Sequence, residues 1–372
     1  MSLVVFPFKD EDPDVVAANL ATAASHDRVR EVWAVAAVEG TAMDGVGSAA
    51  AEIGQATAKP VSVFPQERLG DRRSGKGDGM NTAMTLAAER GFDRVHFYDA
   101  DITNFDAGWI DGAEKGADLG YGVVRHRFPR AATDAMITWM VTRPGLALLF
   151  PGTVLPRLGQ PLGGELLVSG EVVATLAADS FVRARSDWGI DTVITHATAI
   201  AGAGIYEHHV ADGKRHALYG SLTDIRDMVL ECLDAVGSLR HRPAPPPDAP
   251  FHAEPPAPVP GDLKKTVAYD VASTRAAISG LPDAGERAVL GSLGIDLESP
   301  TVIDGETWLD LFPRLMEGFR LDERAWRSAA FRLWVERVIH YTTNQVTSGF
   351  DRAMEYLEGT VAAFERSDGR HD

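Results

Sequence analysis

The sequence predicts an α/β fold, a mostly parallel sheet covered by helices on both faces, followed by an α-helical domain. Three observations carry this. Over residues 1–101, short runs rich in β-branched and aromatic residues alternate with segments of helical periodicity. A proline-crowded stretch, "RPAPPPDAPFHAEPPAPVPG", then interrupts the chain, and beyond it apolar residues recur at intervals of three and four. At 372 residues the chain also exceeds the usual span of one hydrophobic core.

Taken in order, "LVVFPF", "REVWAVAAV", "PVSVFP" and "RVHFYDAD" read as strands, and "DPDVVAANLATAA", "MDGVGSAAAEIGQA" and "GMNTAMTLAAERG" as the helices between them. Strands apolar on both faces and linked by helices belong to parallel sheets, whose ligands gather at the carboxyl ends of the strands. Lys9 falls just past the first strand, and Asp99 and Asp101 at the end of the fourth. Residues 119–240 are less regular: "LGYGVVRH" reads as a strand, "TDAMITWMVT" as a helix, "QPLGGELLVSGE" as Gly-rich turns, and a last helix lies near "SLTDIRDMVLECLDAV". The first domain is thus expected over 1–240. Proline lacks an N–H and fixes its φ, so 241–262 reads as an extended linker. In 263–372, Phe331, Trp334, Val338, Tyr341, Phe350, Met354 and Leu357 form the apolar stripe of a helical core.

Composition narrows the function. Apolar residues at 45% and charged residues at 24% are an ordinary globular balance. No run is long and apolar enough for a membrane span, and "MSLVVFPFKDEDPD" carries acids where a secretory signal is basic, so a cytoplasmic protein without a membrane partner is expected. Cys232 is the only cysteine, which rules out an intrachain disulfide and a thiolate metal site and leaves oxygen and imidazole as metal ligands. A formal charge of −17 argues against a nucleic-acid partner. Small anions remain admissible where basic residues concentrate. "QERLGDRRSGK" holds Arg68, Arg72, Arg73 and Lys76, and "RHRFPR" holds Arg125, Arg127 and Arg130.

Four motifs bear on chemistry. In a β conformation residues i and i+2 point the same way, so Asp99 and Asp101 of "DAD" are expected to reach one locus beyond the sheet, a donor pair suited to a hard divalent cation. Such a pair also caps turns; its position after the fourth strand is what points to a cation. "GDRRSGKG" has the spacing of a phosphate-cradling loop, but Gly77 stands where Ser or Thr is required and the preceding strand ends too early. What remains is a basic, Gly-rich entry into a helix, with Lys76 as the diphosphate contact. "DGKRHALYG" offers His216 and Tyr219 between glycine turns, where His216 completes a metal site only if the loop folds back over the strand ends. In "SDWGIDT", Trp188 suits either core or sugar, and Asp191 suits hydroxyl hydrogen bonds or developing positive charge.

"FPFK", "QERLG", "GKGDGMNTA", "HFYDADIT", "GYGVVRHRFPRAATDAMITWM", "QPLGGELL", "RARSDWGIDT" and "GKRHALYG" together resemble the mannosylglycerate synthase family, retaining glycosyltransferases of the GT-A type. The likeness runs through most of residues 1–235 and is closest from Gln66 to Tyr219. It implies a GT-A domain with a donor half over about 1–105 and an acceptor half over about 106–240, a GDP-mannose donor, a D-glycerate acceptor, and 2-O-α-mannosylglycerate, a compatible solute, as product. It further implies that Pro7, Phe8 and Lys9 line the nucleotide pocket with Gln66 and Lys76. Asp99 and Asp101 become the D-x-D motif, with Asp101 the firmer metal ligand and His216 its partner. Arg130 is expected to hold the glycerate carboxylate in a two-pronged hydrogen bond and Thr138 to orient it. Leu162, Gly163, Trp188, Asp191 and Tyr219 are expected to surround the mannose and the reacting centre. The cofactor implied is Mn2+ or Mg2+, with the imidazole ligand leaning towards manganese; a homodimer is only the commonest arrangement for a soluble protein.

Retention by double displacement needs a carboxylate beneath the anomeric carbon, for which Asp191 is the one candidate the motifs offer, whereas front-side attack needs none and is the favoured expectation. Competing readings are the same chemistry with GDP-glucose or another small hydroxy acid, a sugar-nucleotide pyrophosphorylase, and a non-catalytic nucleotide-sugar sensor. A pyrophosphorylase carries a Gly-rich, Arg-containing loop after its first strand, which "FPFKDEDPD" lacks, and a sensor has no need of Arg130.

Overall fold

A computed structural model of the chain describes residues 2–37, 43–216, 222–296 and 302–367. In chain order the elements are β1 (Ser2–Phe8), α1 (Pro13–Ser25), β2 (Val29–Ala36), α2 (Met43–Thr57), β3 (Val61–Pro65), α3 (Lys76–Arg90), β4 (Arg94–Phe97), α4 (Ala107–Asp118) and β5 (Val123–Arg127). A π-helical turn, Thr138–Thr142, leads into α5 (Arg143–Leu149). Next come β6 (Leu166–Ser169), α6 (Gly170–Ala178), α7 (Ser180–Ala184), α8 (Ile190–Ile200), β7 (Ile205–His209), α9 (Arg226–Ser238) and β8 (Phe251–Ala253). The chain ends in α10 (Val271–Ile278), α11 (Ala284–Ser292), α12 (Gly305–Gly318), α13 (Arg324–Asn344) and α14 (Phe350–Arg366).

The strands form one sheet in the order β3-β2-β1-β4-β6-β5-β7-β8, parallel except for β6, which is antiparallel to both neighbours. Side-chain alternation buries both faces. Val4, Phe6 and Phe8 of β1 join Val16 and Leu20 of α1 and Trp109 and Ile110 of α4 on one side. On the other, Trp33 of β2 packs edge-on against Phe64 and Phe92. Because β2 and β3 lie on one flank of β1 and β4 on the other, the strand order reverses between β1 and β4, and ligands of open α/β sheets bind beyond the carboxyl ends at such a switch point. Pro7 is tolerated in this central strand because β4 ends opposite Val5, so the missing N–H faces a flank with no ladder left to bond.

Contacts divide the chain into two compact units, Met1–Pro129 with Leu162–Ala217 and Pro245–Pro258, and Arg130–Pro161 with Leu218–Ala244 and Val259–Asp372. Arg130–Pro161 groups with the C-terminal helices, and the proline-rich segment supplies β8, an edge strand parallel to β7, instead of an unpaired linker throughout. The strand itself, Phe251–His252–Ala253, is free of proline, and the prolines flank it. The apolar stripe is found as expected, with Phe331, Trp334, Val338, Tyr341 and Leu357 buried and Phe350 and Met354 half-buried. Two local expectations change. β6 lies inside the segment read as Gly-rich turns, and "TDAMITWMVT" begins its helix as a π-turn. No helix among the described residues is long and apolar enough to cross a membrane.

The loop between β3 and α3 is shaped by Asp78, a fully buried carboxylate in the first turn of α3 that accepts the N–H groups of Leu69 and Gly70 and the guanidinium of Arg68 (3.1, 3.0 and 2.7 Å). Beside it, a Cβ on Gly77 would collide with the Arg185 carbonyl and lie 2.6 Å from the carbonyl carbon of Ser186. Backbone cannot move aside as a side-chain tip does. Gly77→Ser, which restores the phosphate-loop consensus, is therefore expected to cost about 1–3 kcal/mol of stability as overpacking, read as a lower urea midpoint at unchanged m-value.

Candidate active site

β4 stops at Phe97, so Asp99 and Asp101 lie beyond it in a turn and do not alternate as strand residues. Asn19 of α1 holds this turn, donating its amide to the carbonyls of Ala100 and Ile102 (3.1 and 2.9 Å). The two aspartates consequently have different partners. Asp99 Oδ1 accepts from Lys76 Nζ (2.8 Å) and Oδ2 from Lys214 Nζ (2.5 Å). Lys76 Nζ also reaches Asp191 Oδ2 (3.0 Å), and Lys214 Nζ reaches Glu165 Oε1 (2.5 Å). Asp191, Lys76, Asp99, Lys214 and Glu165 thus form a chain of alternating charge. Its members come from the first turn of α8, the first residue of α3, the turn after β4, the segment after β7 and the turn before β6.

Burial makes each pairing costly to break. The lysine side chains are 10% and 8% exposed, and those of Asp191 and Glu165 are 5% and 1%. Lys76 also stands at a helix N-terminus, where the backbone dipole disfavours a cation. Desolvation acts to lower its pKa, but the carboxylates of Asp191, Asp99 and Glu165 outweigh this and raise it. Lys214 is raised likewise, chiefly by Asp99 and Glu165 against its own desolvation. Burial opposes ionisation of Asp99, yet the two ammonium groups hold it well below the usual carboxylate range. Glu165 goes the other way. Burial and then the neighbouring Asp99 push it up to about 7, and its Oε2 receives no hydrogen bond from the described residues. Burial also raises Asp191, against the pull of Lys76, and its Oδ1 is likewise buried without a donor among the described residues.

The residues expected at the donor site lie in the following surroundings. Phe8 is buried at the end of β1, and exposed Lys9 follows, its N–H bonded to Glu11 Oε2 (2.5 Å). Gln66 is buried after β3, its amide donating to Ser74 Oγ (3.0 Å). A Cβ on Gly79 would stand 3.3 Å from both Gln66 Oε1 and Pro7 Cβ, so these two side chains meet at the entry of α3. The Trp188 ring centre is 5.8 Å from Lys76 Nζ. Leu162 is half-buried, and the Gly163 carbonyl accepts from Arg125 Nη2 (3.0 Å). Arg125, read as part of a basic cluster, is instead a buried cation beside Asp191, Glu207 and Glu165.

His216 Nδ1 lies 3.8 Å from Asp101 Oδ2. Asn104 docks the segment that carries His216, its amide bonding the Gly213 carbonyl (3.0 Å) and its Oδ1 accepting the Arg215 N–H (2.8 Å). Among the described residues no three His, Cys, Asp or Glu side chains are gathered to hold a metal ion. The expected trio is split: Asp101 and His216 face each other, while Asp99 is taken by the lysines. Arg130 and Thr138 belong to the second unit; Arg130 pairs with Asp134 (2.9 Å) and Thr138 opens the π-turn. Tyr219 lies outside the described residues. Glu165 and Lys214 are not evident in the sequence, although each sits inside a quoted motif, because a buried lysine and a buried glutamate look like surface charges in a string of letters.

The fold is of the GT-A type, and the family matches make the chain a glycosyltransferase. Residues 2–238 match the family described as "Mannosylglycerate synthase, GT domain" and residues 294–361 the "Mannosylglycerate synthase C-terminal domain". The chain is 46% identical over 368 residues to a mannosylglycerate synthase of Rhodothermus marinus, covering 96% of this chain and 92% of the relative. It is 40% identical over 375 residues to one of Selaginella moellendorffii, covering 97% and 89%. Among solved structures, the glucosyl-3-phosphoglycerate synthase of Mycobacterium tuberculosis in complex with Mg2+ and UDP shares the fold, with a TM-score of 0.50 at 20% identity over 65% of this chain and 80% of that one. The chain belongs to the mannosylglycerate synthase family.

Two outcomes follow from the charge chain. A Cβ on Gly164 would collide with Lys76 Nζ and lie 2.6 Å from Asp99 Oδ1. Both are side-chain tips and can yield, so Gly164→Ala is expected to fold but to lose about a hundredfold in kcat/KM, checked by steady-state kinetics beside a thermal melt. Folding raises the Glu165 pKa to about 7, so the native state takes up a proton. That contribution is complete below the ordinary carboxylate range and is lost as pH rises through about 7. Melting temperatures of the metal-free protein measured across that pH are expected to decline less in Glu165→Gln than in wild type.

Proposed function

We propose that the protein transfers mannose from GDP-mannose to the 2-hydroxyl of D-glycerate with retention, giving 2-O-α-mannosylglycerate. The observation that carries this is the buried ammonium of Lys76, held between Asp99 and Asp191 at the carboxyl end of the sheet. A cation locked there is placed for the donor diphosphate, and it aligns Asp191 for the sugar. The two relatives, 40% and 46% identical over nearly the whole chain, bear the name of this activity.

In this reading Pro7, Phe8, Lys9 and Gln66 receive the nucleotide, and Lys76 meets the diphosphate. Leu162, Gly163, Trp188 and Tyr219 enclose the mannose, and Arg130 and Thr138 take the glycerate carboxylate. Asp101 and His216 hold a divalent ion. Their 3.8 Å separation lets both donors bind one centre, and an oxygen with an imidazole suits Mn2+ or Mg2+. Asp99 contributes by fixing the lysines. When bound, the ion neutralises charge on the departing diphosphate; the mycobacterial enzyme of the same fold was captured with Mg2+ and UDP. Asp191 Oδ1, without a donor among the described residues, accepts a sugar hydroxyl or faces the developing oxocarbenium charge. Its other oxygen is occupied by Lys76, an arrangement better suited to electrostatic support of front-side attack than to nucleophilic displacement.

The test supplies GDP-mannose with Mn2+ or Mg2+ and follows GDP release with and without D-glycerate. Release that depends on glycerate, with an α-configured mannosylglycerate identified by NMR, is expected. Tight GDP binding without turnover on any small hydroxy acid would sink the proposal. Asp191→Ala is expected to lower kcat by about 10²–10⁴-fold, the range for one electrostatic or acid–base group, with no glycosyl-enzyme detectable by mass spectrometry in wild type. An adduct on Asp191 would instead establish double displacement.

A further inference from the structure

The second unit contains the residues assigned above to the acceptor, Arg130 and Thr138, on a segment whose backbone departs twice from regular geometry. Ala135 has a φ of 56°, a left-handed conformation that a side chain with a Cβ adopts at a cost of about 1–2 kcal/mol. Residues Thr138–Thr142 form a π-turn, closed by the Arg143 N–H on the Thr138 carbonyl. The cause of the second irregularity is legible. Pro144 follows at the start of α5, and a proline there clashes with the carbonyl four residues back and brings no N–H to it. That carbonyl belongs to Met140.

The donor that Pro144 cannot supply comes from the C-terminal helices. Trp308 of α12, 1% exposed, donates its indole Nε1 to the Met140 carbonyl (2.9 Å). The same happens at the other end of the segment. Tyr341 of α13, fully buried, donates its hydroxyl to the carbonyl of Ala132, two residues after Arg130 (2.9 Å). Between these, Thr133 accepts the Ala268 N–H (2.8 Å) and reaches the Thr266 carbonyl (3.3 Å) through its own hydroxyl. Irregular backbone persists only where its surroundings over-determine it, and such places cluster at functional sites. Here every one of these side-chain ties, apart from the local Asp134 bonds to Arg130 and to the Ala135 N–H, comes from beyond residue 258.

We infer that Trp308 and Tyr341 are positioning residues for the acceptor, and that the C-terminal helical region belongs to the enzyme because it holds the Arg130–Thr142 segment in its irregular shape. This rests on the reading of Arg130 and Thr138 as the glycerate site. Neither aromatic touches substrate in this assignment. Each fixes one backbone carbonyl, and through it the direction in which Arg130 or Thr138 presents its side chain.

Trp308→Phe and Tyr341→Phe, in the full-length protein, remove only the donor and keep the ring. Each is expected to raise the KM for D-glycerate about tenfold, while the KM for GDP-mannose stays within about twofold and kcat changes less than the glycerate KM. Arg130→Ala raises the glycerate KM further, and its combination with Tyr341→Phe is less than additive, since both act on one contact. A fall in melting temperature with both KM values unchanged would overturn the inference, leaving the bonds as stabilisers alone. So would a uniform loss for both substrates, or full additivity with Arg130→Ala. Should Arg130→Ala itself leave the glycerate KM untouched, the acceptor reading falls and the inference with it; should Arg130→Ala act while the aromatic variants do not, only the inference falls.

Discussion

Desolvated charge has to be matched, and around the carboxyl ends of β1 and β4 that requirement organises the molecule. Asp191, Lys76, Asp99, Lys214 and Glu165 alternate in sign, each ammonium lying between two carboxylates. Removing one partner from such a pair typically costs about 3–5 kcal/mol because the other is left buried and uncompensated. The arrangement therefore ties together five segments that are distant in sequence. It also dictates small residues nearby. Gly164 leaves room for the Lys76–Asp99 contact, and Gly77 lets α3 begin against the backbone of 185–187.

The same requirement gives the two aspartates of "DAD" unlike tasks. A turn held by Asn19 replaces strand geometry after Phe97, so Asp99 is directed to the lysines and Asp101 towards His216. One acid anchors cations already present in the chain, and the other stands beside an imidazole brought by the segment after β7. Alternating direction along an ideal strand could not have separated them in this way. In the second unit a comparable division of labour appears. Proline at position 144 disturbs the backbone, and residues near the far end of the chain satisfy what it leaves unpaired.

Much of the fold was legible. The strand and helix order through β4, the helix α9 and the apolar stripe of α13 and α14 follow from periodicity, because burying one face imposes a period of two or nearly four on the letters themselves. β6 was not legible: four residues after a run of glycines carry too short a pattern to distinguish strand from turn. β8 was concealed by the prolines on either side of it, which leave only three residues free of proline-imposed limits. At the site, residues inside long family strings were found, among them Lys76, Asp99, Asp101, Asp191 and His216, whereas Glu165 and Lys214 were not, because their significance lies in burial and in whom they meet.

The letters alone determined the class of sheet, the helical C-terminal region and the absence of an intrachain disulfide, since these depend on local periodicity and residue counts. Only the tertiary structure decided which carboxylate serves which cation, that burial raises the pKa of Glu165, and that the Arg130–Pro161 segment groups with the C-terminal helices. Those outcomes depend on distances between residues separated by up to two hundred positions and on the solvent excluded from between them, quantities that no local pattern encodes.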